Sequence, residues 1–301
     1  MFSQMFRKFK DSSVLMRFIY VNAAIYIIVV SIGVFSVLFN VPELASYVVR
    51  LIELPSSFVR LAAKPWTLFT YMFLHEHLAH ILWNMLALYM FGRIFLDFFS
   101  LRHFVGTYLL GGFVGGIVFV LSYNIFPYFA PFADSSYLVG ASASVLAVVV
   151  ASAVRAPGYR VNLLLFGAVK LSTLAWVTVA VSFLMLSGDN AGGNFAHLGG
   201  AFSGWLIAFM LNKGVDVTSL INKPIDSFVS FFTKKRSGRR RKGKFTYSAS
   251  SAKHSDDHIY NARKKASEAE IDRILEKIKK GGYASLTDAE KKRLFDASSR
   301  R

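Results

Sequence analysis

The stretch LVGASASVLAVVV, Leu138–Val150, decides how the whole chain is read. It is apolar enough for the middle of a membrane helix, yet it carries Gly140, Ser142 and Ser144 near its start. A glycine weakens a helix, and a hydroxyl finds few partners in hydrocarbon. Either the small residues serve close packing or one hydroxyl is placed there to react. The stretch alone leaves both readings open.

The surrounding sequence sets the class. The chain has 301 residues, 54% hydrophobic and 15% aromatic, with a mean hydropathy of +0.43. Six windows carry no formal charge: Phe18–Phe39, Leu78–Gly92, Phe104–Ala133, Ser135–Val154, Leu171–Gly188 and Asn190–Asn212. Crossing the hydrocarbon takes about 20 apolar residues. The second window is short, but its surroundings from Trp66 extend it, interrupted only by Glu76. The runs are continuously apolar rather than alternating, which predicts helices and not a barrel. The expectation is an all-α membrane protein with six transmembrane helices in residues 18–212, after an N-terminal tail of residues 1–17. Arg7, Lys8 and Lys10 precede the first run as they would in a signal peptide. That run exceeds an h-region of about 7–15 residues and lacks an A-x-A site, so it reads as a span. With no cysteine, disulfides, thiolate chemistry and cysteine metal ligands are excluded.

Basic residues give the orientation. Arg7, Lys8, Lys10 and Arg17 lie before the first span, Arg93 and Arg102 between the second and third, and Arg155, Arg160 and Lys170 between the fourth and fifth. The third-to-fourth and fifth-to-sixth connections hold only Asp134 and Asp189. Positive-inside bias puts both termini in the cytoplasm. The segment Asn40–Pro65, with Arg50, Arg60 and Lys64 against Glu43 and Glu53, dissents and reads as an amphipathic element on the outer surface.

Composition changes after Asn212. Residues 213–301 hold 23 of the 35 Lys/Arg and 11 of the 18 Asp/Glu, a net +12 of the chain's +17. The run KKRSGRRRKGK (Lys234–Lys244) suits anionic lipid of the inner leaflet. Beside a membrane such a run is a topology signal, and a nucleic-acid partner is not expected. Residues 213–266 read as a basic linker. Ser267-x-x-Glu270 and Thr287-x-x-Glu290 are capping boxes, with Ile271, Ile274, Leu275 and Ile278 at helical spacing and Gly281-Gly282 as punctuation. Residues 267–301 therefore read as a small cytosolic helical hairpin, and the chain as separable near Lys223.

Ionisable groups within spans are costly and are functional candidates by default. Here they are His80 and His197, with Asn84 and Ser142 as polar companions. His80 and Ser142 each stand 13 residues above a cytoplasmic basic residue, Arg93 or Arg155, and His197 stands 16 above Lys213. At about 1.5 Å per residue these groups lie about 20, 20 and 24 Å above the cytoplasmic edge. Three helices thus bring a serine and two histidines to one level. Asn84 lies one turn from His80 on the same face. An imidazole that accepts the hydroxyl proton makes serine a nucleophile, and His197 is the base. His80, the Asn84 amide and backbone N–H groups beside Ser142 are the candidate oxyanion donors. No carboxylate shares the level, so the pair is a Ser–His dyad. Gly140 allows a tight turn before Ser142, and Gly200-x-x-x-Gly204 allows close helix approach.

At these positions the chain resembles the rhomboid intramembrane serine proteases. The match is His75-x4-His80-x3-Asn84, Gly140-Ala-Ser142-Ala143 and Ala196-His197-x-x-Gly200-x-x-x-Gly204, with Trp66 and the segment FGRIFLD ending at Asp97 extending it over about residues 60–212. The resemblance implies Ser142 as nucleophile, His197 as base, and His80 with Asn84 and Gly140 around the oxyanion. It implies cleavage of transmembrane protein substrates near the outer leaflet, without a cofactor, and a location in the bacterial inner (plasma) membrane. Ala143 stands where many members have glycine, and Thr67 where arginine often follows the tryptophan.

Other readings are weaker. HEHLAH, His75–His80, brings zinc to mind, but H-E-x-x-H needs a histidine where Ala79 stands, so no metal is expected. His75 reads as a support for the first-loop region. Ser144 faces away from Ser142 and reads as packing, as do the glycines of the third span. The alternative function is an inactive rhomboid-like protein that binds transmembrane segments; the presence of both Ser142 and His197 argues against it. A transporter would need an intramembrane carboxylate or an inverted repeat, and neither is seen.

Overall fold

A computed structural model describes residue 9, residues 12–163 and 167–234, and, further on, residues 273, 274, 276–278, 285–288, 290 and 291. The chain divides into two compact units, residues 1–236 and 237–301.

In the first unit α1 (Val14–Leu38) starts where Ser13 Oγ accepts from Met16 N–H, and beyond its last residue the chain turns away at Asn40, whose φ is 55°. The amphipathic segment that follows forms α2 (Pro42–Ile52), β1 (Leu54–Pro55), α3 (Phe58–Ala63) and α4 (Thr67–Thr70). The last carbonyls of α2 have no helical partner, and side chains supply one to each. Lys64 Nζ donates to Arg50 O at 3.0 Å, Trp66 Nε1 to Leu51 O at 2.9 Å and Thr70 Oγ1 to Ile52 O at 2.8 Å. Thr67 is fully buried and donates to Lys64 O at 2.7 Å, so a long charged side chain has no room there.

A short 3-10 turn, Tyr71–Phe73, precedes α5 (Leu78–Phe98) and α6 (Leu101–Ile125). Next come β2 (Tyr137–Leu138) and α7 (Ser142–Arg155), then β3 (Arg160–Leu163) and β4 (Gly167–Lys170), which pair with each other. α8 (Leu171–Leu184), α9 (Ala191–Asn212) and α10 (Ser219–Lys234) complete the unit. The fold is mostly helical, with two small antiparallel ribbons, β1–β2 and β3–β4, in the connections between helices.

Among the described residues α1, α5, α6 and α9 are long and apolar enough to cross a membrane, whereas α7 and α8 have 14 residues each. At about 1.5 Å per residue those two measure about 21 Å, short of a core of about 30 Å. The window Ser135–Val154 is thus not one helix: α7 begins at Ser142 itself. The preceding segment stays extended because protein groups satisfy its backbone. Leu138 pairs with Leu54, Gly140 N–H donates to Tyr71 O at 3.0 Å, and Ser56 N–H donates to Ser136 O at 3.1 Å.

α7 is the centre of the bundle, buried from Ala143 through Ala153. α5, α6, α8 and α9 pack around it. The outer surface is apolar, with Trp83 71%, Trp176 74%, Leu184 77% and Val37 77% exposed, the reverse of a soluble protein. The residues read as a basic linker contain α10, which the sequence reading did not expect. Its polar edge docks on the start of α6: Asn222 Nδ2 donates to Arg102 O at 3.0 Å, Asp226 pairs with Arg102, and Thr218 fills the space beside Gly106.

In the second unit Thr287-x-x-Glu290 forms its capping box: Thr287 N–H donates to Glu290 Oε2 at 2.7 Å, and Glu290 N–H to Thr287 Oγ1 at 3.4 Å. Lys277 Nζ bonds both Glu290 oxygens at 3.0 Å, and Ile274 and Leu286 are buried. Arg7, Lys8 and Lys10, most of the basic run, the Ser267 box, Ile271, Leu275 and Gly281-Gly282 lie outside the described residues.

Candidate active site

Ser142 is the first residue of α7, and His197 stands in the first third of α9. Their proximity follows from small residues. A Cβ on Gly200 would run into the backbone of Ala143, and one on Gly204 into that of Ala147, so α9 lies directly on the α7 backbone over a full turn. The methyls of Ala143 and Ala147 point the other way, toward Gly115 and Gly111 of α6. The methyl of Ala143 thus fits in a notch that Gly115 leaves open. His197 precedes Gly200 by one turn and Ser142 directly precedes Ala143, so this packing aligns the two. His197 Nε2 lies 2.8 Å from Ser142 Oγ.

Gly140 has φ +120°, and a Cβ there would sit 2.8 Å from both Cε1 and Nε2 of His80. Only glycine permits both that backbone and that contact. The imidazole of His80 therefore lies against the turn that leads to Ser142. Asn84 is 7% exposed, and its Nδ2 donates to His80 O at 2.9 Å, which leaves a second amide hydrogen. Asn84, Ser142 and His197 line one cavity of about 280 Å³, walled by Trp83, Phe91, Leu146, Leu174 and Thr178. No side chain caps α7, so the first-turn N–H groups beside Ser142 are not occupied by a cap. Open N–H groups at a helix start favour negative charge.

The ring of His75 is buried and meets that of His80 edge-on, centroids 5.1 Å apart. It supports His80 by packing. Trp66 stands apart from the cavity, where it caps α2. Ser144 is fully buried against Met72 Sδ at 3.7 Å, away from the cavity. Among the described residues no group of three or more His, Asp or Glu gathers at metal-binding spacing.

The sequence reading missed Ser182. Its Oγ lies 3.2 Å from His197 Nδ1. A signal existed: Ser182 stands 12 residues beyond Lys170, about 18 Å at 1.5 Å per residue, level with Ser142.

Chemically, the cluster joins a hydroxyl, an imidazole nitrogen able to take its proton, and N–H donors facing the same cavity. Apolar helices around a short inner helix that begins at this serine define a helical membrane protein with a half-buried Ser–His pair. The rhomboid-domain family model matches residues 62–214, and the chain belongs to the rhomboid family. A second model, DUF6576, a family of unknown function, matches residues 254–300. No curated protein matches the chain.

Proposed function

We propose that the chain is an intramembrane serine endopeptidase that cleaves transmembrane protein substrates, with Ser142 as nucleophile and His197 as general base. The observation that carries the reading is the 2.8 Å contact between Ser142 Oγ and His197 Nε2 beside a cavity shared with Asn84. The family's members are generally proteases of this kind, which supports it.

In the mechanism, the scissile carbonyl enters the cavity and Ser142 Oγ attacks its carbon while the hydroxyl proton passes to His197 Nε2. Negative charge grows on the carbonyl oxygen, which receives hydrogen bonds from the first-turn N–H groups of α7, the free Asn84 amide hydrogen and His80. His197 returns the proton to the leaving amine, and water repeats the sequence to release the acyl group. No metal or cofactor takes part. The cavity lies between α5, α7, α8 and α9, and its wall includes Trp83, 71% exposed on the apolar surface, which suits entry of a transmembrane segment.

The topology that goes with this activity has six spans, α7 and α8 as short ones, and both termini in the cytoplasm of a bacterial inner membrane. Cleavage falls near the outer leaflet. The protease domain is residues 18–212, and the basic run with the C-terminal hairpin meets anionic lipid or a cytosolic partner. The test is a fluorophosphonate that labels activated serines, followed by mass mapping on the full chain. Label on Ser142, lost in His197→Ala, supports the dyad; label on Ser144 or on no serine refutes it. Binding of transmembrane segments without any labelling would favour the inactive alternative.

A further inference from the structure

Ser182 bears on which nitrogen of His197 carries the proton. A neutral imidazole has one N–H. With the proton on Nδ1, the Nε2 lone pair faces Ser142 and can accept. With the proton on Nε2, the ring donates to Ser142 and cannot act as base. An acceptor at Nδ1 therefore favours the working histidine over the idle one.

That group is the Ser182 hydroxyl, 3.2 Å from Nδ1 on a side chain only 3% exposed. The hydroxyl can donate to a bare Nδ1 or accept from Nδ1–H, and only the second arrangement survives when Nε2 takes the Ser142 proton. It orients the ring without placing a carboxylate in the hydrocarbon, where a charge is costly. It also gains strength as the reaction proceeds. When Nε2 takes the Ser142 proton the ring becomes an imidazolium, and the Nδ1–H bond to Ser182 becomes charge-assisted. An interaction that strengthens in the transition state accelerates the step.

We propose that Ser182 is a positioning residue that holds His197 in the orientation and tautomer leaving Nε2 free to accept from Ser142. Ser182 lies on α8, not on the helices of Ser142 or His197, and α8 also contributes Leu174 and Thr178 to the cavity wall. Seating of α8 against α9 is thus needed for a competent base, and a displacement of α8 removes the bond.

The proposal rests on the dyad reading, and the experiment separates the two. The full chain and its Ser182→Ala, Ser182→Thr and Ser182→Val variants are compared by the rate of fluorophosphonate labelling at Ser142 and by kcat and KM on a transmembrane reporter. Nitrogen-15 NMR of histidine-labelled protein reads the His197 tautomer, with the signal identified by its loss in His197→Ala. Ala and Val are expected to label about ten- to a hundredfold more slowly, the range for losing a hydrogen bond to a charged group. The loss falls on kcat with KM unchanged. Thr, which has the shape of Val but keeps the hydroxyl, stays near the wild-type rate. The wild type and Thr show the Nδ1–H tautomer, and Ala shows a mixture. Wild-type labelling and an unchanged tautomer in Ala would overturn the proposal while leaving the dyad intact. Thr as slow as Val would overturn it too, because packing and not the hydroxyl would then matter. An unlabelled wild-type chain overturns the dyad and the proposal with it.

Discussion

Gly200→Ala tests whether close packing of α9 on α7 is what creates the Ser142–His197 pair. The added Cβ would overlap the Ala143 carbonyl oxygen and lie 2.8 Å from its carbon and 3.0 Å from its Cα. These are backbone atoms of a fully enclosed helix, so no side chain can swing aside. Ordinary contact begins near 3.4 Å, so α9 must withdraw by at least 0.6 Å from the carbonyl carbon. The same movement stretches a 2.8 Å hydrogen bond beyond good geometry. A misplacement of about 1 Å in such a site costs about a hundredfold, and overpacking costs about 1–3 kcal/mol. Fluorophosphonate labelling of Ser142 is therefore expected to slow by about ten- to a hundredfold, with a lowered thermal midpoint. Gly33→Ala is the control, because nothing lies within 4 Å of a Cβ there. Wild-type labelling by Gly200→Ala would refute the packing argument.

Asn84→Ala is expected to lower kcat about tenfold or more with little change in KM, measured on a transmembrane reporter; removing one oxyanion donor costs about 2.7–4 kcal/mol where it has been measured, and in the proposed mechanism His80 and the α7 N–H groups share the load. A raised KM with unchanged kcat would reassign Asn84 to substrate positioning. A chain ending at Arg236 is expected to keep the wild-type thermal midpoint. One ending at Lys223 cuts α10 ahead of Asp226 and is expected to lose about 1–3 kcal/mol. Equal midpoints would show that α10 adds nothing to the first unit. In the second unit the Thr287 backbone N–H, then Lys277 and the Thr287 hydroxyl, hold the Glu290 carboxyl down at about 2, against an ordinary 4.5. A depressed carboxyl stabilises the fold above its ordinary value and loses that contribution as pH falls through the folded one. The capping box is thus expected to persist at pH 4 and to open toward pH 2, read by NMR titration of Glu290 in the full chain; titration near 4.5 would show that the box does not hold in solution.

Patterns local to a few turns were legible in the sequence. His80 and Asn84 share a helix face, Gly200 and Gly204 mark a close approach, and counting residues to the next arginine or lysine along the chain brought Ser142 and His197 to one level. What was not legible depends on distant partners. The start of α7 at Ser142 is set by pairing of Leu138 with Leu54 and by the Gly140 bond to Tyr71, some 70 residues away in sequence. A window average sees only an apolar run there. Ser182 looked like any hydroxyl in a span until the same depth count was applied to α8. α10 had a helical signal in Leu220, Ile221, Ile225 and Phe228, but the lysines around it and Pro224 made the segment read as a linker. Its order comes from Asn222 and Asp226 meeting Arg102, contacts with no trace in local composition.

The central claim is that this chain breaks peptide bonds with Ser142. Its most direct test is the full-length protein and its Ser142→Ala variant, each reconstituted in liposomes with a single-span reporter protein, with fragments identified by mass. The wild type is expected to cut the reporter within or beside its transmembrane segment, and Ser142→Ala to give no fragments while unfolding at the wild-type temperature. Equal cleavage by both proteins would contradict the account.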